Sequence, residues 1–125
     1  ICTQQNVART PYSPLAAGRL SRLEWDADTK RSRTDKTAVS KYDSTRESDY
    51  GIVLRVHELA QKHAATMTQI SLAWQFARGV ASPIIGATKA RYLDDAAGAL
   101  DVRLSAEDVA YLEELYVPHR VVGAL

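Results

Sequence analysis

Two stretches of this chain carry residues that could hold an anion. The first is Thr10-Pro11-Tyr12-Ser13-Pro14-Leu15-Ala16-Ala17-Gly18-Arg19-Leu20. Ala16, Ala17 and Gly18 are small enough for backbone to lie against a bound group, with main-chain N–H groups as donors. Ser13 adds a hydroxyl, and Arg19 and Arg22 add charge. The second is Pro83-Ile84-Ile85-Gly86-Ala87-Thr88-Lys89, where a short apolar run ends in a turn and a helix begins. The first N–H groups of a helix lack internal partners, and its dipole places about half a positive charge there. Gly86 permits close approach, Thr88 can cap or hydrogen-bond, and Lys89 brings a full charge, a set that suits a phosphate monoester. Each stretch also has a plain reading, as a loop with a solvated arginine or a capped helix with a solvated lysine. Two strand ends running into such turns argue for one anion site built by neighbouring loops.

Other residues could extend the site. Tyr92 and Asp95 are three apart and share a helix face. A ring and a carboxylate there could hold an adenine, or they could be ordinary surface. Tyr12 could stack on a flat ring or fill the core. Other chemistries find no support. His57, His63 and His119 lack metal-ligand spacing. Ser13 has no Gly-x-Ser-x-Gly elbow, and there is no Gly-x-Gly-x-x-Gly fingerprint. No catalytic residue and no metal ligand is expected in this chain.

These residues must be placed by a soluble α/β scaffold. Hydrophobic residues make up 46% of the 125 and charged residues 25%, an ordinary globular mix. A net charge of +1 argues against nucleic acid or an anionic membrane as partner. No apolar run nears the ~18 residues a bilayer span needs. Cys2 is the only cysteine, so no internal disulfide forms. No secretory pattern is present, and a cytoplasmic location is expected. The start at Ile1-Cys2, without methionine, fits a trimmed or partial product.

In chain order, residues 1–6 read as the tail of a helix and Val7 to Tyr12 as a strand. Pro14 to Glu47 is a long polar stretch. It reads as a floppy excursion or as a flap closing over a ligand, with Arg31, Arg33 or Lys36 near its phosphates. Ser48 or Asp49 caps a helix with Ile52, Val53, Val56, Leu59 and Ala60 on one face. Thr66 and Gln69 form a capping box for a second helix. Its core stripe is Ile70, Ala73, Trp74 and Ala77, and it stops at Gly79. Ile84-Ile85 is a short buried strand. Thr88 caps a third helix with Leu93, Ala97 and Leu100 inward. Ser105 and Asp108 cap a fourth, with Val109, Leu112 and Tyr116 inside and Pro118 at its end. The tail Val121 to Leu125 is apolar and expected to pack. Strands alternating with helices imply parallel pairing. Two parallel strands do not make a stable sheet alone, so the chain reads as a piece of a larger α/β structure.

Tyr12-Ser13-Pro14-Leu15-Ala16-Ala17-Gly18-Arg19-Leu20, Gln69-Ile70-Ser71-Leu72-Ala73-Trp74 and Pro83-Ile84-Ile85-Gly86-Ala87-Thr88, in this order, resemble the C-terminal half of an aldo-keto reductase. Tyr116 to Gly123 resembles one bacterial branch of that family. The resemblance covers nearly the whole chain and is weakest over residues 23–47. It implies an α/β fold, the C-terminal half of a (β/α)8 TIM barrel with parallel strands and outer helices. Residues 1–125 would be a partial domain, the last two βα units plus a C-terminal helix and tail, with residues 21–47 as a long loop over the cofactor. A whole barrel needs ~250 residues.

The resemblance also implies a nicotinamide cofactor, usually NADP (NADPH). Tyr12 would stack under the nicotinamide. Ser13, Leu15 and Gly18 would border the pyrophosphate, Thr88 and Lys89 would face the adenosine 2′-phosphate, and Tyr92 and Asp95 would flank the adenine. Pro14, Ala17, Arg19, Ile85, Gly86 and Ala87 would also belong to the cofactor-binding set. Three departures touch the adenine end. Tyr92 stands where the family often has Arg or Gln, Asp95 is shorter than the usual Glu, and Ala96 replaces an Asn. The family's Asp, Tyr, Lys and His tetrad has no counterpart here, so it is expected in an N-terminal half of the same barrel. The implied substrate is a small carbonyl compound, reduced by hydride transfer. The alternative is a non-catalytic nicotinamide-binding module resembling potassium-channel β subunits.

Overall fold

The computed structural model describes residues 1–25, Tyr42 and 45–118. Four α-helices carry this part of the chain: α1 (Arg46–Lys62), α2 (Met67–Ala77), α3 (Ala90–Ala97) and α4 (Ala106–Glu113). Single 3-10 turns lie at Ala16–Gly18 and Gly98–Leu100. Helix α2 is central. It packs on α1 on one side and on α3 with the following 3-10 turn on the other.

The local signals explain the helices. Thr66 Oγ1 accepts from the Gln69 amide at 3.1 Å, and the Gln69 side chain accepts from the Thr66 amide, so the capping box at α2 is closed. Ser105 and Asp108 do the same for α4. Gly79, at φ +76°, takes the left-handed position just past α2. Residues 1–6 form turns in which Gln5 N–H bonds Ile1 O and Val7 N–H bonds Cys2 O.

Two apolar clusters flank α2. One gathers Val53, Val56, Leu59, Ala60, Met67, Ile70 and Leu112 from α1, α2 and α4. The other joins Leu72 to Ala96 and Ala99, with Leu15 and Ile85 packed against it. The second cluster therefore seats both anion-type stretches on the same helix. Ionic contacts close the α1–α4 side. The Arg55 guanidinium lies 4.2 Å from the Tyr111 ring centre and 2.6 Å from Glu114.

The expected strands are reduced to one parallel bridge, between Tyr12 and Ile84. Around it, Arg9 O accepts from Ala81 N–H at 3.0 Å and Pro11 O from Ile84 N–H at 2.9 Å. No named strand occurs among the described residues. The physical reason is the one that limits any isolated parallel pair: without neighbours on both edges and cover on both faces, a ladder does not extend. Tyr12 and Ile84 are 69% and 56% exposed.

Helix details also differ. Helix α1 starts at Arg46, and Ser48 and Asp49 sit in its first turn rather than capping it. Thr45 Oγ1 donates to Asp49 instead, at 2.5 Å. Helix α3 has Lys89 at its N-cap with no side-chain cap, so Thr88 does not cap it. Its inward residues are Ala96 and Ala99, while Leu93, Ala97 and Leu100 face outward. Small residues let α3 and the following turn approach Leu72 closely, which leucines would prevent. Ala77 is exposed at the end of α2. Helix α4 ends at Glu113, before Tyr116 and Pro118, and Tyr116 is exposed. The tail from residue 119, His119 included, lies outside the described residues.

Candidate functional site

The first loop is built from unusual backbone. Ser13 (φ +54°), Ala16 (+48°), Ala17 (+56°) and Gly18 (+91°) are all left-handed. For the three non-glycine residues this costs ~1–3 kcal/mol each, and such strain persists only where surrounding contacts impose it. The amides of Ala16, Gly18, Arg19, Leu20 and Ser21 bond to carbonyls within the loop. The expected main-chain cradle is thus partly spent on the loop's own turn, and more of its positive character comes from side chains. Helix α2 holds the loop from behind. Ser71 Oγ donates to Leu20 O, and Gln75 Nε2 to Pro14 O, each at 2.9 Å.

Trp25 completes this side. Its Nε1–H donates to Arg19 O at 3.0 Å, and the Arg19 guanidinium lies 4.8 Å from the ring centre, a cation–π contact. Tyr50 meets Trp25 edge-on at 5.4 Å. Sequence reasoning missed Trp25, because nothing in its spacing marks it. It also missed Ser71 and Gln75, although two polar residues four apart on an apolar helix are a readable signal.

The second loop is open. Gly86, Ala87, Thr88 and Lys89 are exposed, and no atom lies within 4 Å of where a Gly86 Cβ would stand. Arg91 donates to the Tyr92 hydroxyl at 3.2 Å and its guanidinium lies 5.0 Å from the ring. The Tyr92 phenol is held below its ordinary range, first by the Arg91 hydrogen bond and charge, then by Lys89, with Arg22 adding to them. Arg91 and Lys89 thus dominate the charge around this ring, with Arg22 of the first stretch the smallest contributor. Arg22 Nε is buried and without a hydrogen-bond partner among the described residues. Lys89 and Arg91 beside the open space at Gly86 make a setting that suits a phosphate.

The candidate residues divide accordingly. The bridge sets Tyr12 and Ser13 beside Ile84 and Ile85, and Leu15 and Ile85 meet in one apolar cluster. Pro14, Ala17, Gly18 and Arg19 lie in the strained loop, Gly86 to Lys89 on the open one, and Tyr92 in the first turn of α3 that follows it. Asp95 is turned away. Its Oδ1 accepts from Thr66 Oγ1 at 2.8 Å and its carbonyl from Gln69 Nε2 at 3.1 Å. One carboxylate oxygen is thus committed to the start of α2 rather than open to a base. Arg31, Arg33 and Lys36 lie outside the described residues.

A separate groove of about 390 Å³ runs between α1 and α4, lined by Glu58, Leu59, Lys62, Glu107, Asp108 and Tyr111. Its chemistry is structural. Asp108, 3% exposed, takes 2.6 Å and 2.9 Å contacts from Lys62 Nζ and His63 Nε2 while capping α4. Burial pushes its carboxyl up, but hydrogen bonds from Lys62, the Ser105 amide and His63, with the Lys62 charge, outweigh it and hold it well below the usual carboxylate range. Among the described residues no group of three or more His, Cys, Asp or Glu could hold a metal ion. Nor is any described helix long and apolar enough to cross a membrane.

Comparison with known proteins matches these features to a family. The profile of the Aldo/keto reductase family matches residues 1–117. The versiconal hemiacetal acetate reductase of Aspergillus parasiticus is 36% identical over 122 residues, covering 96% of this chain and 35% of that protein. The aldo-keto reductase dtxS3 of Metarhizium robertsii is 38% identical over 126 residues, covering 98% of this chain and 33% of that protein. The aldo-keto reductase AFTS1 of Alternaria alternata is 32% identical over 122 residues, 98% of this chain and 32% of that protein. The chain spans about a third of the length of these curated relatives. With a profile match over almost all of its residues, this chain belongs to the aldo/keto reductase family.

Proposed function

We propose that this chain is the cofactor-binding, C-terminal part of an NADPH-dependent aldo-keto reductase, an oxidoreductase that reduces aldehydes or ketones to alcohols. In this reading it supplies the last two βα units of a (β/α)8 barrel. The bridge of Tyr12 to Ile84 would grow into barrel strands once flanked by the rest of the sheet. The three relatives described above are reductases by name, and others carry the name aryl-alcohol dehydrogenase, which supports an oxidoreductase reaction.

One observation supports the cofactor reading: two turns whose bridged residues, Tyr12 and Ile84, are 72 apart in sequence lie side by side, with Leu15 and Ile85 packed against one apolar cluster. The residues present fit a phosphorylated dinucleotide. Tyr12, exposed at the bridge, would stack against the nicotinamide ring. Ser13, Leu15 and Gly18 would border the pyrophosphate, and Lys89, Arg22 and Arg91 would meet the 2′-phosphate. That third contact is what would favour NADPH over NADH. Bound NADPH supplies a hydride for the carbonyl carbon. The matching proton comes from a general acid outside this chain. The partners are accordingly a small carbonyl substrate and the N-terminal part of the same barrel.

The test is NADPH oxidation with a generic aldehyde, followed by absorbance. The 125 residues alone should show no turnover, and joined to the preceding barrel segment they should. Turnover by the isolated chain, or none by the complete polypeptide across a panel of aldehydes and ketones, would refute the proposal. NADPH binding without turnover would point to the non-catalytic module instead.

A further inference from the structure

We infer that Ser71 and Gln75 are positioning residues that set the peptide planes of the first loop for its ligand. This rests on the reading of that loop as the pyrophosphate border. The two residues stand four apart on α2 and so share one face. Both are buried, 5% and 7% exposed. Each donates across a long sequence gap to a loop carbonyl, Ser71 to Leu20 and Gln75 to Pro14. The left-handed run Ala16, Ala17 and Gly18 lies between these two anchors.

The orientation of the Gln75 amide is fixed by its partner. A proline carbonyl can only accept, so Nε2 must face it. Oε1 then points the other way, buried and without a partner among the described residues. Such an arrangement is retained only where the donated bond matters more than the unused acceptor. What that bond does follows from the planar trans peptide, in which C=O and N–H point in opposite directions. With the Pro14 carbonyl drawn down to Gln75, the Leu15 N–H is turned away from α2, towards the side on which a ligand would lie. That amide donates to no group among the described residues. The Leu20 carbonyl, held by Ser71, fixes the far end of the turn. Gln75 thus aims a donor, and Ser71 stops the strained run from relaxing.

The test compares Gln75→Met, Ser71→Ala and Ser71→Thr with wild type in the full-length polypeptide that carries this chain. The readouts are amide hydrogen exchange and NADPH affinity. Gln75→Met keeps the length and apolar stem but loses the donor, and Ser71→Thr keeps a hydroxyl. Losing one such bond is expected to speed exchange at residues 13–21 about tenfold. The KM for NADPH should rise by about the same factor, with kcat changed less than twofold. Exchange in α1 and α2 should stay near wild type, and Ser71→Thr should behave as wild type. Exchange raised equally in all helices, or loop exchange unchanged in Gln75→Met and Ser71→Ala, overturns the pinning. Faster loop exchange with NADPH affinity intact overturns the role towards ligand. If Gln75→Met does not fold, the Ser71 pair decides by the same criteria. Wild-type protein that binds no NADPH overturns the underlying reading, and the exchange data then judge the pinning alone.

Discussion

Asp108→Asn should destabilise the chain by about 2–3 kcal/mol at pH 7. The substitution keeps the size of the side chain and removes its charge. Three donors now meet the carboxylate: Lys62 at 2.6 Å, His63 at 2.9 Å and the Ser105 amide at 3.1 Å. Asparagine still offers one acceptor oxygen to Ser105. The Lys62 side chain is 60% exposed and returns to water, so its contact is discounted. The His63 bond to a buried charge remains, at ~1.5–3 kcal/mol. With the asparagine oxygen kept where Oδ2 meets Ser105 and His63, its N–H₂ takes the place of Oδ1 and faces Lys62, which adds to the cost. At ~4 °C per kcal/mol for a chain of this size, the melting midpoint should fall by about 10 °C in thermal circular dichroism. The pH dependence has a definite sign. Because the folded Asp108 pKa is depressed, its stabilisation is present above the ordinary carboxylate range near pH 4 and is lost as pH falls through the folded value. The gap between wild type and Asp108→Asn should therefore narrow below about pH 4. A difference under ~0.5 kcal/mol at pH 7, or a gap that widens on acidification, would refute the reasoning.

Thr66→Ala opens the α2 capping box and frees Asp95, and should cost ~1 kcal/mol in chemical denaturation. Lys89→Ala should weaken NADPH more than NADH, by about fivefold at low salt and less at high salt, in fluorescence titrations. Arg91→Ala removes the hydrogen bond and the charge that lower the Tyr92 phenol, so in ultraviolet titration its pKa should move up towards 10, with Tyr92→Phe identifying the signal.

What the sequence made legible was local. The capping boxes at Thr66 and Ser105, and Gly79 past the end of α2, need only residues within one helical turn, and each stands as read. The α1 face at Val53, Val56, Leu59 and Ala60 followed from periodicity alone. Strand length was not legible, because a parallel ladder depends on neighbouring strands and cover rather than on local sequence. The inward face of α3 was misread because Leu93 and Leu100 outrank Ala96 and Ala99 in hydrophobicity, while close approach to Leu72 selects small side chains. The two candidate loops were marked in the sequence by their glycines and cations. Their support could not, since Ser71 reaches Leu20 across 51 residues and Gln75 reaches Pro14 across 61. Asp95 shows the converse: one oxygen of a carboxylate six residues after Lys89 is bonded by Thr66, the N-cap of α2.

Whether the turns after Tyr12 and Ile85 grip one dinucleotide, as proposed, can be settled by amide protection, measured by hydrogen exchange with and without saturating NADPH on this chain joined to the barrel segment proposed to precede it. Residues 13–20 and 86–92 should gain protection together, with the same NADPH dependence. Protection at one segment with the other unchanged, or at neither, would contradict a shared site.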